Sequence, residues 1–243
     1  MFCKMKRSFA VALVFTLLAI SSAQAGELRL LSAGGYKKSM QAVLAAYKEQ
    51  TGQQAEVGYG NMRQVLSQAK LTGQAALVIG DEKFLRQENI FASFQPIGEG
   101  KLVLAWAQGS PAISKPEDLL RPEVARIAHP DKSKAIFGRA ATEWLRSQQL
   151  DQKLQAKLIQ AATVPQVSSY LVAKEVDAGF ISMTDAIGLG GKLGGYLPLP
   201  SGYEKIVIVA GSIKGHENDA AAKDFLAFLT GPQARRIFKE HGM

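Results

Sequence analysis

Apolar residues fall along this chain in short blocks whose spacing switches between strand and helix periods. Glu27-Leu28-Arg29-Leu30-Leu31 reads as a strand, Ser32-Ala33-Gly34-Gly35 as a small-residue turn, and Tyr36 through Thr51-Gly52 as a helix. A strand near Gln54–Tyr59 and the turn Gly60-Asn61-Met62 lead into a helix over Arg63–Leu71, with Val65, Leu66 and Ala69 at helical spacing. Ala75–Ile79, Leu102–Trp106 and Ile206–Ala210 are continuous apolar runs, the pattern of strands buried on both faces. Arg126–His129 and Ala178–Ile181 are further strand-like segments. Helices are expected at Pro116–Leu120, Gly138–Leu150, Lys153–Ala161, Val167–Glu175, Asp219–Leu229 and Pro232–His241, and turns at Gly98–Gly100 and in the glycine-rich stretch Gly188–Gly195.

Strands that alternate with helices in this way predict an α/β fold with parallel-rich sheets flanked by helices. Leu102–Trp106 and Ile206–Ala210 each follow a glycine-containing turn, at opposite ends of the central hundred residues. If both cross between domains, residues 26–101 plus 205–243 form one lobe and residues 102–204 the other. A two-lobed fold of this kind binds ligand in the cleft, at strand C-termini and helix N-termini.

The first residues change the setting. Lys4, Lys6 and Arg7, the apolar run Phe9–Ile20 and the small-residue exit Ser21-Ser22-Ala23-Gln24-Ala25 describe a signal peptide cut after Ala25, so the mature protein is expected in the periplasm. The apolar run is shorter than the ~20 residues of a membrane span. Cys3 precedes that run and leaves with it, so the mature chain holds no cysteine and relies on its core. Losing Lys4, Lys6 and Arg7 lowers the net charge from +8 to +5. The remaining cations are scattered along the sequence and form no stripe, which with export argues against nucleic acid; attraction of a small anion or of an anionic membrane, or solubility alone, accounts for the charge.

Candidate chemistry narrows to anion binding. A strand that delivers a glycine turn to a helix points unpaired N–H groups at one spot, and the helix dipole favours negative charge there. Ser32, Gly35 and Tyr36 stand at such a place. Lys37, Lys38, Arg63 and Arg139 sit at helix starts, where a cation opposes the dipole; Arg63 and Arg139 are therefore candidates to face the cleft and pair with an anion. His129, His216 and His241 are far apart in sequence and have no cysteine partner, which argues against a metal site. No G-x-S-x-G, P-loop or dinucleotide fingerprint is present, and no cysteine nucleophile survives cleavage, so no catalytic residues and no cofactor are expected. Asp81 reads as a helix N-cap.

Taken together, Glu27–Met40, Ala76–Asp81, Leu102–Ala105, Arg126–Asp131, Gly179–Ala186 and the ending Phe225–Gly242 resemble the periplasmic molybdate-binding proteins of ABC importers, over essentially the whole mature chain. The resemblance implies a monomeric, type II solute-binding fold that delivers molybdate or tungstate to a membrane permease. It also implies a pocket of neutral donors, with no residue coordinating the metal directly. The family's first-turn serine falls on Gly35 and its second-turn serine on Asn61. Its two backbone donors fall on Phe137 and Val164, and its tyrosine on Ser182. With all three side-chain donors replaced, a different or larger anion, such as a phosphonate, a sulfate-like ion or a small organic acid, is the alternative ligand.

Overall fold

The computed structural model describes residues 28–243, so the proposed signal segment and its cleavage point lie outside the described residues. In chain order the elements are β1 (Leu28–Ala33), α1 (Lys37–Thr51), β2 (Ala55–Gly60), α2 (Met62–Thr72), β3 (Leu77–Asp81), α3 (Glu82–Leu85), β4 (Phe91–Gly100) and β5 (Leu102–Trp106). Next come β6 (Ile127–Pro130), α4 (Ile136–Ser147), β7 (Leu158–Ala161), α5 (Val164–Val172), β8 (Ala178–Ser182) and α6 (Met183–Leu189). The chain closes with β9 (Gly195–Pro198), β10 (Ile206–Ile213), α7 (Ala220–Thr230) and α8 (Pro232–Glu240). None of the described helices is long and apolar enough to cross a membrane.

The strands form two five-stranded sheets, ordered β2-β1-β3-β10-β4 and β7-β6-β8-β5-β9. Each is the core of one lobe of a two-lobed α/β fold. Both are mixed. β1 runs parallel to β2 and β3, and β6 runs parallel to β7 and β8, whereas β10 and β5 run antiparallel to both of their neighbours. The chain passes between sheets at Lys101 and again between Pro198 and Ile206.

Parallel register is what builds the site. In the first sheet Ala33 pairs with Gly60, so the turns leaving β1 and β2 emerge side by side. In the second, Pro130 pairs with Ala161, and the turns leading to α4 and α5 emerge side by side in the same way. The third parallel strand of each set, β3 and β8, ends in a residue that caps the next helix. Asp81 accepts from the N–H groups of Lys83 and Phe84, and Ser182 accepts from that of Asp185. Capping of this kind meets the orphan donors of a helix start.

Three segments differ from the sequence expectation. Lys153–Ala161 is not a helix: a single tight turn at Gln155–Lys157 leads into the edge strand β7. Gly98–Gly100 is the end of the long strand β4, not a turn. The glycine-rich stretch contains the start of β9, where a Cβ on Gly194 would come within 2.6 Å of the Trp106 ring. There glycine serves close packing, not looseness.

Candidate functional site

The two pairs of strand ends face one another across the seam between lobes. Gly34-Gly35-Tyr36 makes one tight helical turn before α1. Glycine suits the close approach of the other lobe there. A Cβ on Gly35 would stand 3.0 Å from Cε2 of Phe137, and one on Gly34 would stand 3.3 Å from Cδ of Pro165. The start of α2 is held by a capping box in which Gln64 N–H donates to Asn61 Oδ1 and Asn61 N–H donates to Gln64 Oε1, both at 2.9 Å. Asn61 then reaches across the seam, its Nδ2 donating to the Ala162 carbonyl at 3.4 Å. The Arg63 N–H donates to the Lys134 carbonyl at the same length.

In the second lobe α4 starts at Ile136-Phe137 without a side-chain cap. Gly138 lies so close to the Asp131 carbonyl that no Cβ fits, which pins the first turn of α4 to the end of β6. α5 starts at Val164, with the Thr163 hydroxyl accepting from Gln166 N–H.

Among these four helix starts lies a cavity of about 20 Å³, lined by Gly35, Asn61, Phe137 and Val164 with their neighbours. That volume holds about one water molecule. No charged side chain lines it. The helix starts around it bring amides whose dipoles favour negative charge at the N-terminus. Phe137 is its aromatic wall, 1% exposed, with the ring 5.8 Å from that of Tyr36.

Gly35, Asn61, Phe137 and Val164 are thus brought together. The other five sequence candidates are not among the lining residues. Ser182 is buried, and its hydroxyl donates to the Gly35 carbonyl at 2.8 Å while accepting from Asp185 N–H, so it joins the lobes and has no proton left for a ligand. Ser32 is fully buried within β1 and donates to the Ala33 carbonyl at 3.3 Å. Tyr36 turns its hydroxyl away from the cavity towards the chain crossing, within 2.5 Å of where a Cβ on Gly100 would stand. That hydroxyl is buried without a partner, and burial, followed by the charge of Asp81, pushes its pKa well above the ordinary phenol value.

Neither arginine lines the cavity. Arg63 is exposed on α2, where its backbone N–H reaches the other lobe. Arg139 does enter the seam, but its guanidinium is committed to protein carboxylates: Asp81 of the first lobe at 2.7 Å, Glu204 at 3.0 Å and Glu143 at 3.5 Å. Asp81 is buried. Burial raises its pKa more than Arg139 and the backbone donors of Lys83 and Phe84 lower it. On the opposite flank Asp185 accepts from the Ser168 hydroxyl, with Lys38 of the first lobe near; burial again outweighs both and raises the carboxyl. Tyr59, beneath the Lys37 ammonium, is pushed up to about 12 by burial.

These charges across the seam leave no local signal in the sequence. Asp81 was visible as a cap, but its second oxygen, bound to Arg139, was not. Asn61-x-x-Gln64 was the signal that the Asn61 acceptor is spent on its own helix. No group of three or more His, Cys, Asp or Glu side chains that could hold a metal occurs among the described residues.

Residues 28–243 match the family model described as bacterial extracellular solute-binding protein. The molybdate-binding protein ModA of Rhodobacter capsulatus is 24% identical over 242 residues, covering 97% of this chain and 95% of that protein. ModA of Azotobacter vinelandii is 24% identical over 248 residues, covering 96% and 95%. The solved periplasmic molybdate-binding protein of Azotobacter vinelandii has a TM-score of 0.81 at 25% identity, covering 89% of this chain and 98% of that one.

Proposed function

The chain belongs to the bacterial extracellular solute-binding protein family, and from that premise we propose that it is the periplasmic binding component of an ABC importer for a compact oxyanion, molybdate or tungstate. The ligand class follows the molybdate-binding relatives and one observation of this chain: four helix starts, two from each lobe, converge on one uncharged cavity. Amides of Gly35, Phe137 and Val164 and the side-chain amide of Asn61 would hold the anion. With no cation in the wall, fixed dipoles replace the ligand's water without a titratable partner. The protein acts as a monomer, and its role is binding without catalysis.

Binding follows lobe motion. The cavity lies in the seam between the lobes, so loading has the lobes part about the two chain crossings and reclose on the ligand. The permease then reads the closed pair of lobes. Coupling requires the anion to favour the closed state over the open one.

Calorimetric titration of the purified protein with molybdate, tungstate, sulfate, phosphate, methylphosphonate and acetate tests the reading. Tight binding of molybdate or tungstate, with a melting temperature that climbs with ligand concentration, is the expected result. Tight binding of a phosphonate or carboxylate in their place would replace the ligand class and leave the transport role. Silence across the whole panel would remove the oxyanion reading.

A further inference from the structure

We propose that the Phe137 side chain is the size gate of this site. This rests on reading the cavity as the anion site. Phe137 lies in the first turn of α4, in the second lobe, and its ring lies against Gly35 of the first. It occupies the space into which a side chain at position 35 would project. Cε2 and Cδ2 of the ring lie 3.0 and 3.2 Å from that Cβ position. Gly35 and Phe137 are therefore one complementary pair across the seam. The missing side chain of the first tip is the room taken by the ring of the third.

The rest of the wall leaves Phe137 as the part that sets the volume. Gly34, Gly35 and Gly60 have no side chain to move. Met62 sends its thioether away from the cavity, to within 2.6 Å of where a Cβ on Gly80 would lie, so it packs under β3. Asn61 is fixed by its capping box and by Ala162. Ala33, Ala135, Ile136, Thr163 and Val164 complete the wall, and the largest side chain among all of these is the Phe137 phenyl ring, 1% exposed and tilted at 56° on Tyr36. An anion that enters must displace the ring or hold the lobes apart by what the ring occupies. Each added substituent increases that cost. The gate therefore restricts the native site to compact oxyanions and rejects the same anionic centre carrying an organic group.

The test compares the wild-type protein with Phe137→Ala and Phe137→Leu, titrated calorimetrically with molybdate, sulfate, methylphosphonate and phenylphosphonate. Removing the ring is expected to raise phenylphosphonate and methylphosphonate affinity relative to molybdate by about tenfold or more, the scale a misfitting hydrocarbon group costs in an apolar pocket. Phe137→Leu should fall between, and it carries the same comparison if the alanine variant does not fold. Identical affinity ratios in wild type and both variants, or silence from all three proteins, overturn the gate. Wild-type silence with a response from a variant upholds the gate and removes the oxyanion reading of the native site. A wild-type molybdate response with unchanged ratios does the reverse.

Discussion

Asp81→Asn tests whether this protein's own charges hold its lobes together. Asp81 ends β3 in the first lobe with its side chain 2% exposed, and Arg139 rises from the first turn of α4 in the second with 14% exposed. The replacing amide keeps an oxygen for the Lys83 and Phe84 N–H groups, so α3 keeps its cap while the charge goes. Removing one member of a buried ion pair costs about 3–5 kcal/mol, largely because the other charge is stranded. Here Arg139 keeps Glu204 and Glu143, partly exposed partners worth about 1 kcal/mol or less each, and the burial that raises the Asp81 carboxyl offsets part of the pairing, which brings the expected cost to about 2–3 kcal/mol. Because the pair joins two sheets that each have their own core, that loss falls on contact between lobes. The closure equilibrium should shift by about 30- to 150-fold.

Small-angle scattering of the anion-free protein, with a fluorophore pair across the lobes, reads the opening directly. A larger radius of gyration and a longer inter-lobe distance are expected for the variant. Its melting temperature should fall by less than the roughly 4–12 °C that the whole cost would produce in a chain of this length. An unchanged radius together with a full drop in melting temperature would refute the reasoning, since the pair would then belong to the folding core and not to closure.

Three further outcomes follow from the site. Asn61→Ala removes the α2 cap, worth about 1 kcal/mol, and the bond to Ala162, so it should lower thermal stability by about 2–4 °C and weaken anion binding in calorimetry. A variant that binds as wild type would show that the Asn61 amide does not face the ligand. Ser182→Ala unties the Gly35 carbonyl and the α6 cap, at about 1–2 kcal/mol; melting and calorimetry should show lower stability with an unchanged order of anion preference. A changed order would return Ser182 to the ligand. Asp185 contributes to the pH dependence. Burial raises its pKa in the folded state, so its contribution is fully present below the unfolded value of 3.8 and is lost as pH rises through the raised value. Melting curves of wild type and Asp185→Asn should therefore show the variant gaining on wild type as pH climbs from 3.8, and the opposite trend would overturn the assignment.

The elements legible in sequence are those whose burial is two-sided. β1, β3, β5 and β10 place apolar residues at nearly every position, and their runs stand out without any partner being known. β4 stayed hidden because it is an edge strand, buried mainly at Phe91, Ile97 and Gly100, and its Gly98 and Gly100 read as turn residues until β10 is beside them. β7 is likewise an edge, and Leu158 to Ala161 has no pattern that separates it from the helix expected there. The tips at the cavity were legible for two different reasons. At Gly35 strand, turn and helix start are contiguous in sequence, whereas Asn61, Phe137 and Val164 were placed by the family resemblance, and neither route needs to know how the lobes meet.

Side-chain duties were not legible, because each is decided by a residue far away in the chain. Ser182 is spent on Gly35 and Arg139 on Asp81, partners contributed by the other lobe. Arg139, a cation near a helix N-terminus, opposes the dipole and calls for a negative charge. The protein supplies that charge itself, through the carboxylate that also caps α3. This has a consequence for selectivity. With its arginine committed to Asp81, Glu204 and Glu143, the cavity has only dipoles to offer, and dipoles of fixed position separate one oxyanion from another by distance more than by charge. Discrimination then falls on volume, and the volume is set by the ring that Gly35 leaves room for.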